Sequence, residues 1–114
     1  MDSMGEERRR TLRVPVQMFV EESHDHATYF QQSSNLSTGG IFLERTIPHP
    51  VGTRVALQFT LPGDQSPIKV HAEIVNAIES EAQLGMGLKF VEVPADVAGR
   101  IDRFVAQHEP PKEL

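Results

Sequence analysis

The amino-acid sequence predicts an all-β fold, a barrel or sandwich of antiparallel strands, followed by one C-terminal α-helix. Three observations predict this fold. Apolar and polar residues alternate with a period of two in six segments. Residues that favour turns stand between these segments. After Val93 the apolar spacing changes to that of a helix. A closed barrel would also remove the exposed edges of the six strands.

Each of the six predicted strands places apolar side chains on one face and mostly polar side chains on the other, as antiparallel strands over one core do. The strands are predicted at Val14–Glu21, Ala27–Gln32, Gly40–Glu44, Arg54–Leu61, Ile68–Val75 and Leu84–Val91. Turn signals between them fall at Ser23–Asp25, Ser33–Ser34, Pro48–Gly52 and Pro62–Pro67. The side chains predicted to point into the core include Leu57, Phe59, Val70, Ile74, Leu88 and Phe90.

The last predicted element is a helix from about Pro94 to Gln107. Its apolar residues share one stripe, which consists of Val97, Ile101, Phe104 and Val105. Pro94 suits the first helical turn, and Asp96 complements the positive end of the helix dipole. Gly99 weakens the helix by about 1 kcal/mol relative to alanine. We expect the apolar stripe to dock on the barrel.

Length, charge and composition limit the function classes. The chain has 114 residues, which suits one domain, and we predict tails at 1–7 and 108–114 around a domain at 8–107. The absence of cysteine excludes disulfides and thiolate metal sites. No segment approaches the ~18 apolar residues of a membrane span, and no signal peptide precedes the domain, so we expect a cytoplasmic protein. The net charge of −5 opposes binding to DNA or RNA.

Two polar segments carry the chemistry. The first is the arginine-rich run Arg8–Arg13, directly before the first strand, and the second is Asn35–Gly40, directly before another strand. Guanidinium groups match phosphate oxygens and stack on flat bases. Asparagine and serine offer short hydrogen-bonding groups, and the two glycines let a ligand approach the backbone. Together these groups suit a nucleotide.

The two segments resemble the paired motifs of the PilZ domain family, the bacterial cyclic di-GMP receptors. Arg9 and Arg13 match the family's Arg-x-x-x-Arg motif, and Asn35, Ser37 and Gly40 match its Asp/Asn-x-Ser-x-x-Gly motif. The late segment 85–90 is similar to a glycine-containing strand of the family. The resemblance covers about residues 7–107 and is that of a stand-alone, single-domain member.

The resemblance implies a six-stranded antiparallel β-barrel with a C-terminal helix and a flexible N-terminal arm, and it implies the ligand. Arg9 and Arg13 would hold the phosphates and guanine faces of cyclic di-GMP. Asn35 and Ser37 would contact a guanine, and Gly40 would keep that surface open. Arg8 stands where relatives that bind a stacked ligand dimer carry an arginine. Asn35 stands where many relatives have aspartate, which removes a charged acceptor for the guanine N–H groups.

Two functions remain open at this point. The first is a receptor and adaptor in which cyclic di-GMP orders the arginine arm and thereby signals to a partner protein. That partner would belong to motility, adhesion, polysaccharide or developmental machinery. The second is a scaffold of the same fold that does not bind the nucleotide. We predict no enzymatic activity, no bound metal or other cofactor, and no association with nucleic acid or membrane.

Overall fold

The structure, a computed structural model, describes residues 13–108. It contains seven strands and one helix in that part of the chain. They are β1 (Arg13–Pro15), β2 (Phe19–His24), β3 (Ala27–Ser37), β4 (Gly40–Glu44), β5 (Arg54–Phe59), β6 (Ile68–Glu79), β7 (Leu84–Val91) and α1 (Ala95–Gln107). Residues 1–12 and 109–114, which include the predicted N-terminal arm and most of the predicted C-terminal tail, lie outside the described residues.

Six strands close into an antiparallel barrel, which confirms the predicted fold class. The hydrogen-bonded order is β3-β2-β5-β6-β7-β4, and β4 returns to pair with β3. Closure pairs both edges of all six strands, so the barrel leaves no long open edge. β1 is a short extra strand that pairs with the end of β3.

The predicted first strand is interrupted, and the predicted turn at Ser33–Ser34 is wrong. β1 ends at Pro15 and β2 begins at Phe19, while β3 continues through both serines to Ser37. The Ser33 hydroxyl accepts a hydrogen bond from the Met18 amide at 3.1 Å and donates one to the Val16 carbonyl at 2.7 Å. The Ser33 hydroxyl thus supplies hydrogen-bond partners to two backbone groups where the regular pairing between strands stops. Ser33 does so from within a strand and not from a turn.

The core contains all six side chains that alternation predicts to point inward. Each of them is at most 6% exposed, and the rings of Phe59 and Phe90 stack with their centroids 6.3 Å apart. The apolar stripe of α1 is also buried, and the helix packs against β3 and β6. The predicted inward faces of β5, β6 and β7 and the predicted docking of the helix are therefore confirmed.

An exposed ion pair ties α1 to the loop between β5 and β6. Arg100 donates to the Asp64 carboxylate at 2.9 Å and to the Ser66 carbonyl at 2.5 Å. The hydrogen bond from Arg100 holds the pKa of Asp64 below its ordinary value. Because both side chains remain partly exposed to solvent, this contact orients the helix and contributes little stability.

One carboxylate lies inside the barrel. Glu22 on β2 is fully buried. Gln31 donates a hydrogen bond to its Oε1 at 2.9 Å. Nε2 of His49 lies 2.6 Å from its Oε2, close enough for an ion pair but outside hydrogen-bond alignment. The rings of His24 and Tyr29 each lie 5.2 Å from the His49 ring. The loop between β4 and β5 is thus held to the barrel through a polar cluster.

Within residues 13–108, no three histidine, aspartate or glutamate side chains lie close enough together to hold a metal ion. The helix described in the same range is too short and too polar to cross a membrane.

Candidate functional site

Arg13, the last residue of the arginine-rich segment, lies on β1. The stability of a short strand comes mainly from the apolar side chains that it buries. Val14 is fully buried and stands opposite Leu36 on β3, which is also fully buried. Arg13 precedes Val14 and stands opposite Ser37. The side chain of Arg13 is exposed, because successive side chains of a strand point to opposite faces.

A β-bulge in β3 places Asn35 on the outer face of the barrel. Ser33 pairs with Leu43, and Asn35 pairs with Phe42, so Ser34 is the extra residue. Side chains alternate along a regular strand, which would give Ser33 and Asn35 the same inward direction. The inserted residue reverses the alternation. Asn35 is therefore partly exposed next to β1.

Arg13 and Asn35 are in direct contact. Nη1 of Arg13 donates a hydrogen bond to Oδ1 of Asn35 at 2.9 Å. Nδ2 of Asn35 donates to the Ser34 hydroxyl at 3.3 Å, which orients the amide. A guanidinium group has five N–H donors, and its bond to Asn35 uses one of them. The two sequence segments thus meet at one point, with an oriented amide beside a group that can bind phosphate.

Ser37 and Gly40 flank the turn between β3 and β4. The Ser37 hydroxyl is buried and donates to the Gly40 carbonyl at 3.4 Å. A Cβ atom at Gly40 would collide with the carbonyl oxygen of Leu88 on β7. Asn35 and Ser37 lie on β3, and the turn itself consists of Thr38 and Gly39. The structure gives both motif residues of the turn a packing role, and their contact with a ligand stays a prediction.

Two residues of this surface were missed by sequence reasoning. Phe42 pairs with Asn35 and with Gly87. Its ring also lies against Gly85, where a Cβ atom would come within 2.7 Å of Cε2 and Cζ. The glycines of β7 therefore make room for an aromatic ring beside Asn35. Lys89 is exposed and stands opposite Gly40. The sequence did contain a signal for Phe42, because the alternation of β4 points this side chain outward.

The structure brings four predicted site residues into neighbouring positions, namely Arg13, Asn35, Ser37 and Gly40. Arg8 and Arg9 lie outside the described residues, and their positions relative to this surface stay predictions. In sequence they lie five and four residues before Arg13, close enough for an extended chain to reach the same surface at about 3.3 Å per residue.

The comparison with family models decides the classification. The model of the PilZ domain matches residues 7–107. The chain belongs to the PilZ domain family. PilZ domains are nucleotide-binding receptor domains, and the resemblance inferred from the two motifs is confirmed. No curated protein sequence matches the chain.

Solved PilZ structures share the fold of this chain. The Bacillus subtilis inhibitor of motility (MotI/DgrA) superposes with a TM-score of 0.77 at 19% identity, covering 88% of this chain and 50% of that chain. This PilZ domain thus spans half the length of the Bacillus protein. The PilZ domain of Escherichia coli YcgR with c-di-GMP gives 0.68 at 17% identity, with 89% and 91% coverage. The PilZ domain of CeSA from a cellulose-synthesizing bacterium gives 0.64 at 18% identity, with 83% and 95% coverage.

Proposed function

We propose that this PilZ domain is a receptor for cyclic di-GMP that signals to a partner protein. The observation that carries the proposal is the hydrogen bond between Arg13 and Asn35. It joins the two motifs of a nucleotide-binding family on one exposed surface, although 22 positions separate them in the sequence.

The chemistry of the surface suits a cyclic dinucleotide. Arg13, together with Arg8 and Arg9, would bind phosphate oxygens through charge-assisted hydrogen bonds. Beyond its bonds to Arg13 and Ser34, the amide of Asn35 has one N–H donor and one lone pair on Oδ1 left for the edge of a guanine. The Phe42 ring offers an apolar contact for a base or ribose. Lys89, which is the cross-strand partner of Gly40 on β7, adds a positive charge. These contacts supply both the charge and the flat surface that the ligand requires.

The signal to a partner would come from the arm. Arg13 is the first described residue, and Arg8 and Arg9 precede it in the sequence by five and four positions. Ligand bound between Arg13 and the preceding arginines would fix residues 8–12 against the barrel, and this order–disorder change would create a new surface. The shift in the equilibrium between the two arm states is limited by the difference in ligand affinity between them. An effector of motility is one candidate partner, since the Bacillus neighbour is named an inhibitor of motility.

Isothermal titration calorimetry with cyclic di-GMP tests the proposal. We expect saturable binding to the wild-type protein. Arg13→Ala should weaken it by about 1.5–3 kcal/mol, because a charge-assisted contact is lost, which corresponds to roughly 10–150-fold in Kd. Arg9→Ala should weaken binding by a similar factor.

Arg54→Ala is the matched control. Arg54 lies on β5, its side chain is 58% exposed, and its nearest acidic partner, Glu92, is 3.9 Å away. Its replacement removes the same charge without touching the site. If the folded wild-type protein releases no heat with cyclic di-GMP, the receptor proposal is wrong and the non-binding scaffold stands in its place. Equal losses of affinity in Arg13→Ala and Arg54→Ala would show that binding depends only on the total charge of the protein.

A further inference from the structure

Two of the paired strands in residues 13–108 contain a β-bulge, and an asparagine follows each bulge. The first is Asn35 on β3, described above. The second is Asn76 on β6, where Val75 is the extra residue after Ile74. Regular alternation would point Asn76 inward like Ile74, which is fully buried. The bulge reverses this direction, so Asn76 is exposed on the outer face.

The two asparagines stand at the ends of one cross-strand row on the outer face, which we call the asparagine row. Its members are Asn35 on β3, Phe42 on β4, Gly87 on β7 and Asn76 on β6. A Cβ atom at Gly87 would lie 3.7 Å from Cδ1 of Phe42 and 3.4 Å from Cβ of Asn76. Phe42 and Asn76 therefore border Gly87 from opposite sides. Since neighbouring strands lie about 4.8 Å apart, the row spans roughly 14 Å along the barrel surface.

A second row, next to the asparagine row, contains two basic residues of this face. Its members are Arg13, Ser37, Gly40, Lys89 and Glu73. Lys89 is exposed and follows Gly87 by two positions, so both point outward. Glu73 stands between Lys89 and Arg54 of the neighbouring strand, so basic residues flank it on both sides. The face thus presents Arg13 and Lys89 for phosphates beside two amides and a ring for bases.

We propose that Asn76 binds the second guanine of the cyclic di-GMP molecule whose first guanine contacts Asn35. Cyclic di-GMP carries two guanines on one closed ring of riboses and phosphates. With the phosphates at Arg13 and Lys89, the two guanines extend towards the two ends of the asparagine row, and Phe42 packs against the riboses between them. The Asn76 amide then accepts from a guanine N–H group and donates to the guanine carbonyl oxygen. This inference rests on the proposed function and adds to it a residue outside both sequence motifs.

Ligands with one and with two guanines separate the roles of the two asparagines. GMP carries one guanine and one phosphate, and it fills the part of the site at Arg13 and Asn35, whose side chains are in contact. Asn76→Ala should weaken the binding of cyclic di-GMP by about three- to tenfold, the loss of one or two neutral hydrogen bonds, and change the Kd of GMP by less than about twofold. Asn35→Ala should weaken the binding of both ligands. Calorimetric and NMR titrations of the whole chain measure these affinities.

Gln58→Ala is the matched control, because it removes the same kind of amide from the outer face of β5, where Gln58 pairs with Glu21 and Lys69. It should leave the affinities for both ligands unchanged. Urea denaturation verifies that each variant is folded. The side-chain NH2 signal of Asn76 in the wild-type protein gives a measurement that needs no variant. It should shift on addition of cyclic di-GMP and saturate at the same ligand concentration as the NH2 signal of Asn35.

The outcomes distinguish this inference from the proposed function. If Arg13→Ala weakens the binding of cyclic di-GMP but Asn76→Ala does not, the second guanine lies elsewhere and the proposed function stands. If Asn76→Ala weakens the binding of GMP as much as that of cyclic di-GMP, Asn76 has a structural role and the inference is overturned. An NH2 signal of Asn76 that does not shift, or equal losses of affinity in Asn76→Ala and Gln58→Ala, overturns it as well. A folded wild-type protein that binds no cyclic di-GMP overturns both the inference and the proposed function.

Discussion

At the scale of the residue, the proposed recognition of cyclic di-GMP depends on the amide of Asn35. Its amide accepts from Arg13 and donates to Ser34. We expect Asn35→Asp to strengthen cyclic di-GMP binding by about three- to tenfold, because a carboxylate accepts stronger hydrogen bonds from guanine N–H groups than an amide does. Calorimetric titration of the two proteins under identical conditions measures the change. Weaker binding by the aspartate variant would show that Asn35 does not face the guanine.

The buried carboxylate of Glu22 gives a second prediction at this scale. Removing His49 leaves a charge inside the barrel with Gln31 as its remaining polar contact among the described residues. His49→Ala should therefore lower the free energy of unfolding by about 3–5 kcal/mol, as for other broken buried pairs. Glu22→Gln removes the charge itself, so adding it to His49→Ala should recover part of the loss. Urea denaturation measures all three variants. If the losses of unfolding free energy in the two single variants simply add in the double variant, the two side chains do not interact.

At the scale of the element, alanine substitutions at the neighbouring residues Gly39 and Gly40 test why the motif has a glycine at position 40. A Cβ atom at Gly40 meets the backbone of Leu88, whereas one at Gly39 meets no atom within 4 Å. Gly40→Ala should thus destabilise the fold by about 1–3 kcal/mol through overpacking. Gly39→Ala should change the unfolding free energy by less than about 0.5 kcal/mol. Urea denaturation of both variants is the measurement. Equal stabilities would remove the packing explanation for this motif residue.

The sequence allowed the prediction of β5, β6, β7 and α1, because each combines regular alternation or a helical stripe with a buried face. It did not allow the correct prediction of the region from β1 to β3. Ser33 and Ser34 are typical turn residues, and their role in a bulge depends on backbone groups of Val16 and Met18, which no local pattern reveals. For the same reason the contact between Arg13 and Asn35 could not be predicted, although the two sequence motifs identified both residues as candidate site residues.

At the scale of the whole molecule, we predict that the number of ligands per chain depends on Arg8. The family resemblance implies that an arginine at this position accompanies a stacked ligand dimer. We therefore expect two molecules of cyclic di-GMP per chain. Arg8→Ala should reduce the stoichiometry to one without abolishing binding, because Arg9, Arg13 and Asn35 would still hold the inner ligand. Calorimetry at protein concentrations well above Kd gives the ratio directly. One ligand per chain in both proteins would contradict this prediction and leave the site itself in place.

We propose that Arg13 on β1 and Asn35 on β3 form the binding site for cyclic di-GMP. The most direct test is a titration of the ¹⁵N-labelled protein with cyclic di-GMP, followed by NMR of the backbone amides. We expect the largest changes in chemical shift at residues 13–16 and 35–42, where β1, the bulge and the turn meet. The amides of β5, Phe19 and Phe30 should change little. Saturable changes centred on another face of the barrel, or no changes at all, would contradict the claim.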